Sequence, residues 1–218
     1  MDWLAQVDAY CERTDLTFWS EPINALTNLG YLIVGLWFLG TLRGVPYGRA
    51  LAALLIAISI GSFLFHTLAT TWAGLADSLP IGLFILLYLF AINRLVIGWP
   101  VWAALLGMLA FIPFAAAVVF VVDRLPFFAI SNFYWSVPIL MAAYAFFLRE
   151  SAPNMARTLW TAAALLTLSI TARSFDELIC QDWPLGTHFA WHLINSVMFV
   201  VVLSGYRAHA LAAPNARR

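Results

Sequence analysis

Lysine is absent from this chain of 218 residues, so all 11 basic side chains are arginines. Without a lysine amine there is no Schiff-base chemistry, and a retinal-type attachment is excluded. Charge of either sign is scarce: 10% of residues are charged, 63% are hydrophobic, and the formal net charge is zero. A soluble domain carries about a quarter charged residues, so this composition belongs to a membrane protein. No basic excess points to nucleic acid as a partner. The first twenty residues lack a basic stretch followed by an apolar run, so no cleavable signal peptide is expected. Low-complexity linkers and paired inverted repeats are missing too, which lowers a transporter reading.

What is there in quantity is long apolar sequence. Runs of roughly 17 to 25 residues suffice to cross a bilayer. Seven are read, at 21–42, 51–70, 76–97, 100–122, 130–148, 158–175 and 187–206. Turn chemistry separates them, as in Arg43-Gly44-Val45-Pro46 and Asp123-Arg124-Leu125-Pro126. The runs lack period-two alternation, so helices are favoured over barrel strands. The expected fold is an all-α integral membrane bundle of seven transmembrane helices. Residues 1–20 form an acidic segment outside the membrane, 21–206 the bundle and 207–218 a tail.

Arginine placement orients the bundle. Arg43, Arg49, Arg94, Arg149, Arg157, Arg207, Arg217 and Arg218 fall on one side, against Arg13, Arg124 and Arg173 on the other. The arginine-rich side is cytoplasmic, which places the N-terminus outside and the C-terminus inside. The outer side collects most of the acids, including Asp2, Asp8, Glu12, Asp15, Glu21, Asp176 and Asp182. In a bacterium this is a multi-pass inner-membrane protein whose outer face meets the periplasm.

Ionisable groups within a span are costly and are functional candidates. They are Glu21, His66, Asp77, Arg94, Arg173, His188 and His192. Arg94 and Arg173 lie near helix ends, from which arginine reaches the interface. His188 and His192 are four apart and share one helix face, as do Ser62 and His66. With the orientation above, His66 ends the second run, Asp77 begins the third, and the histidine pair begins the seventh. Three histidines, an aspartate and a serine therefore meet at one depth near the outer face. Three neutral imidazoles leave the fourth position of a tetrahedral zinc site open for water. Asp77 is the candidate general base and acid, and Ser62 the candidate oxyanion donor. Haem ligation needs only two histidines and leaves Asp77 without a role. Histidines that merely hydrogen-bond between helices are the bland alternative.

The string Ser62-x3-His66-x10-Asp77, with His188-x3-His192 on the last run, resembles the alkaline ceramidases. That family lies in a seven-helix membrane hydrolase superfamily that also holds the adiponectin-type receptors. Cys11-Glu12, the stretch Glu21-Pro22-Ile23-Asn24-Ala25-Leu26-Thr27-Asn28 and Asp176-x3-Cys180 resemble further family elements. The resemblance implies zinc on His66, His188 and His192, proton transfer by Asp77, oxyanion support by Ser62 and substrate contact at Trp191. The implied reaction is hydrolysis of the N-acyl amide of a ceramide-type lipid to a fatty acid and a long-chain base. The partners are then the lipid substrate and the bilayer, and no protein partner is implied.

The resemblance also implies a calcium site beside the zinc, drawn from Glu12 and Glu21 with Asp8 and Asp15 as substitutes. Here the sequence departs from the family pattern, which has Asp-Trp-Cys-Glu where Ala9-Tyr10-Cys11-Glu12 stands, and a longer spacing onward to Glu21. Cys11 and Cys180, the only cysteines, both fall on the outer side, where an oxidising exterior permits a disulfide. A seven-helix lipid receptor with a structural zinc is the competing function.

Overall fold

The computed structural model describes residues 2–212; Arg217 and Arg218, counted above toward the cytoplasmic side, lie outside them. Among the described residues the chain is helical, with one isolated bridge between Gln6 and Thr70. Six helices are long and apolar enough to cross a membrane. They are α1 (Pro22–Thr41), α2 (Gly48–Leu68), α3 (Thr71–Val96), α4 (Val101–Val122), α6 (Pro153–Phe175) and α7 (His188–Ala212). The fifth expected run is a shorter apolar helix, α5 (Asn132–Leu148), which opens with a 3-10 turn. The seven runs are thus seven helical segments, of which six have spanning length.

Their ends differ from the apolar runs in a consistent way. α2, α3 and α6 begin three to five residues before the runs at 51, 76 and 158, and α7 continues to Ala212, beyond the run's end at 206. Hydropathy finds only the apolar part of a helix, whereas backbone hydrogen bonding carries it on through polar residues such as Arg157 and Arg207. Pro153 begins α6 because its missing N–H has no partner in a first turn.

The large hydrophobic side chains divide into two populations. Leu51 and Leu55 of α2, Ile170 of α6, and Leu203 and Tyr206 of α7 are fully buried. Leu36, Trp37, Leu106, Phe146 and Phe147 point outward and are more than half exposed. A water-facing domain rarely shows that much apolar surface, whereas a bilayer-facing bundle needs it.

Close helix contact is set by small residues. Gly61 of α2 lies against the carbonyl of Ala76 in α3, and a Cβ at position 61 would overlap that oxygen. The contact has a local cause. Pro80 sits inside α3 and has no N–H to give its i−4 carbonyl, which is that of Ala76. A glycine Cα–H can face the freed oxygen, so the two backbones approach beside Ser62 and Asp77. Gly61→Ala is expected to cost about 1–3 kcal/mol. A lower midpoint of thermal unfolding in detergent checks this, and an unchanged midpoint would contradict the close approach.

Residues 3–7 cross the α2–α3 connection. Val7 donates its N–H to the Ala69 carbonyl at 2.7 Å, and Thr71 donates to that of Ala5 at 3.0 Å. Ala69 takes a left-handed φ of 45° and ends α2, opening the turn that receives this segment. The N-terminal segment therefore lies over the end of the bundle that carries His66.

Candidate functional site

His66 comes from the last turn of α2, and His188 and His192 from the first two turns of α7. Their ring centroids are 4.7 to 5.0 Å apart, and all three rings are buried. One nitrogen from each lies within 4.8 Å of the others. No other group of three histidine, cysteine or acidic side chains among the described residues is arranged to hold a metal.

The hydrogen bonds around the rings determine which nitrogens are free. Glu21 Oε2 lies 2.6 Å from His66 Nδ1, and a carboxylate only accepts, so the proton is on Nδ1. Thr27 Oγ1 lies 2.8 Å from His192 Nδ1 and directs its own proton at the carbonyls of Ile23 and Asn24. The threonine oxygen therefore accepts from His192 Nδ1–H. In both rings Nε2 keeps its lone pair and meets no protein donor. His188 Nδ1 is likewise buried without a partner, under the stacked ring of Tyr10 at 3.6 Å between centroids. Three neighbouring buried nitrogens without partners cost roughly 1–3 kcal/mol each if left bare. Metal-ligating histidines typically donate the other ring N–H to a carboxylate or oxygen, as Glu21 and Thr27 are placed to accept it. The donor set fits a metal ion.

Ser62 stands one turn before His66 on α2 and is buried, while Asp77 in α3 is half-buried. Both line a long apolar cavity that Trp191, Tyr134 and Phe199 also line. The cavity follows α3 from Asp77 to Ile92. At 1.5 Å per residue that is about 22 Å, most of the ~30 Å hydrocarbon thickness. Spacing arguments did not reveal these wall residues, because all seven helices contribute to the wall, from Tyr31 of α1 and Phe111 of α4 to Trp191 of α7. Trp191 is buried with its ring edge-on to Tyr134 at 4.8 Å, so it belongs to the wall and not to an interfacial belt.

Asp176 fixes the start of α7. Its carboxylate accepts the N–H groups of Cys11 at 3.0 Å, Thr187 at 2.6 Å and His188 at 2.7 Å. It thereby caps the helix that carries two of the histidines and ties it to the N-terminal segment. Gly186, at φ +64°, passes so close that a Cβ would strike the Asp176 carboxylate. The disulfide between Cys11 and Cys180 joins the same two pieces covalently.

Arg173, in the last turn of α6, is surrounded by aromatic rings. Its guanidinium lies over the rings of Tyr134, Tyr10 and Trp191 at 5.3, 5.9 and 6.0 Å and donates to Ser131 Oγ at 2.8 Å. Arg94 behaves as expected of a helix end and donates to the Trp99 carbonyl at 3.3 Å.

The four acids considered for calcium are not gathered at one point. Glu12 caps α1, accepting from Ile23 and Asn24 at 2.7 and 2.8 Å; burial pushes its carboxyl up against the lowering by those bonds. Asp15 accepts the N–H and hydroxyl of Thr17, which hold its carboxyl below the usual range. Asp8 is exposed. Glu21 spends one oxygen on His66 and the other on Arg13, whose Nε lies 2.6 Å away.

Arg13, Tyr10 and Thr27 were not singled out by sequence reasoning. The only signal for Thr27 was its place inside the Glu21–Asn28 stretch, and Arg13 stood in the count simply as an outer-side charge. Asp176→Asn replaces one carboxylate oxygen by an NH2 group, which then faces at least one of the three backbone donors. It is expected to cost about 1–3 kcal/mol in unfolding stability. The companion check is thiol alkylation of the denatured chain without reductant, which is expected to label neither Cys11 nor Cys180.

No curated protein and no solved structure matches this chain. The model of the family described as Ceramidase matches residues 6–216, which includes every element of the site above. The chain belongs to the Ceramidase family.

Proposed function

We propose that the protein is a zinc-dependent hydrolase of membrane lipid amides, with the N-acyl bond of a ceramide-type sphingolipid as its substrate. One observation carries this reading. Each of three clustered, buried histidines has a ring nitrogen without a protein partner, and Ser62, one turn from His66, lines an apolar cavity together with Asp77 and Trp191. An all-imidazole set suits zinc among the first-row metals, and hydrolysis needs no redox change. Zinc on His66, His188 and His192 would supply Lewis acidity and a water of pKa lowered toward about 7.

The remaining roles fall to the protein's own groups. The cavity wall binds an acyl chain along α3 and keeps bulk water from it. Ser62 Oγ donates to the amide oxygen as negative charge develops there. An Asp77 carboxylate oxygen takes a proton from the attacking water and delivers it to the departing amine nitrogen. Glu21 and Thr27 hold His66 and His192 by their Nδ1 protons, so both rings keep their orientation through the cycle. Arg173, close to the cavity wall at Tyr134 and Trp191, places a fixed positive charge near the reacting end.

The arginine asymmetry supports a chain with its N-terminus and the site on the non-cytoplasmic face, the periplasm if the source is bacterial. Purified protein is expected to hold about one zinc per chain by elemental analysis, and His188→Ala to lose it. Asp77→Asn is expected to retain zinc while fatty-acid release from N-acyl sphingoid lipids falls about 10²–10⁴-fold. A wild-type rate in Asp77→Asn would remove the proposed proton carrier. Stoichiometric zinc with ligand binding but no turnover would favour the receptor reading instead.

A further inference from the structure

The calcium ion that the family resemblance implies does not fit the residues present, because a side chain already stands where it would go. Calcium takes six to eight oxygens, with carboxylates and carbonyls as usual ligands. Three such oxygens converge at the end of α2: Glu21 Oε1, the Asp15 carbonyl and the His66 carbonyl. All three face Arg13, whose Nε, Nη1 and Nη2 lie 2.6, 3.1 and 3.0 Å from them respectively. The Arg13 side chain is 2% exposed and that of Glu21 3%. The acids that would complete a calcium shell turn elsewhere, Glu12 to the first N–H groups of α1 and Asp15 to Thr17.

We infer that the Arg13 guanidinium is the built-in cation of this segment, so that the protein takes up no calcium and uses Arg13 to position His66. The physical case has three parts. A planar fork can serve three oxygens from different segments at once, which a lysine ammonium cannot do in the same geometry. The His66 carbonyl lies in the last turn of α2, where the helix dipole favours a positive group. Neutralising Glu21 Oε1 from one side leaves Oε2 free to hold His66 Nδ1, so the guanidinium acts on the proposed metal ligand through one carboxylate. Arg13 is a positioning residue: it touches neither the cavity nor the free histidine nitrogens.

The positioning half of this inference rests on the zinc reading above, whereas the calcium half does not. The test therefore has two independent arms on the full chain in detergent. In the first, wild-type protein is titrated with calcium up to 1 mM, with radiolabelled calcium for binding and thermal unfolding for stability. No saturable site and an unchanged unfolding midpoint are expected; one calcium bound per chain overturns the inference. This arm reads the same whether or not the protein holds zinc. In the second, Arg13→Ala is expected to lower zinc affinity about 10–100-fold and to regain part of it in millimolar guanidinium. Wild-type zinc affinity in Arg13→Ala overturns the positioning role. If that variant does not fold, the wild-type calcium titration still decides whether a cation other than Arg13 is used. A wild-type chain without zinc sinks the proposed function and leaves the calcium result standing.

Discussion

The carboxylate of Glu21 is the junction on which the site end of this molecule depends. One oxygen meets Arg13 and the other meets His66, and all three side chains are buried. A buried carboxylate is tolerable only when it is paired and hydrogen-bonded. Here the pairing joins the N-terminal segment, the first turn of α1 and the last turn of α2 into one polar unit. Thr27, two turns along the same helix, holds His192 of α7 in the same manner. The short stretch from Glu21 to Thr27 thus orients histidines on two different helices.

A second clasp works at the other side of the site. Asp176 collects three backbone N–H groups, and the Cys11–Cys180 disulfide ties the N-terminal segment to the connection before α7. The two clasps converge on Tyr10, stacked on His188, and on Arg13, bound to Glu21. The remainder of the bundle is mostly apolar, with isolated buried polar contacts such as that of the Tyr144 hydroxyl with Asn93. Polar order is concentrated at one end, and a cavity about as long as an acyl chain runs away from it along α3. That division suits a reaction at a polar bond in an otherwise apolar lipid, which is the chemistry the family membership indicates.

Much of this was legible in the residues. Seven apolar runs mark seven helical segments because a backbone without water must bond to itself, and the runs missed only the polar turns at the helix ends. His66, Asp77, His188 and His192 were recognisable because charge inside an apolar run is rare and helical spacing says which residues share a face. Arg173 was read only as a group near a helix end. What the sequence did not reveal is that three aromatic rings from other segments lie beside its guanidinium. The acids Glu12, Asp15 and Glu21, read in sequence with Asp8 as a cation site, each serve a different donor, and Asp8 is exposed.

By itself, the sequence determined the apolar character of the helices, the positions of the helical segments, and the identities of the three histidines that cluster. These follow from local properties: hydropathy along the chain, 1.5 Å of rise per residue and a face repeated every three or four positions. Only the tertiary structure decided which imidazole nitrogens lack partners, which residues wall the cavity, and that Arg13 pairs with Glu21 and the His66 carbonyl. Those are contacts between residues as far apart as 53 positions for Arg13 and His66 and 165 for Thr27 and His192. No periodicity encodes such pairs. They exist because Gly61 lets α2 and α3 close together and because the N-terminal segment folds back over the end they share.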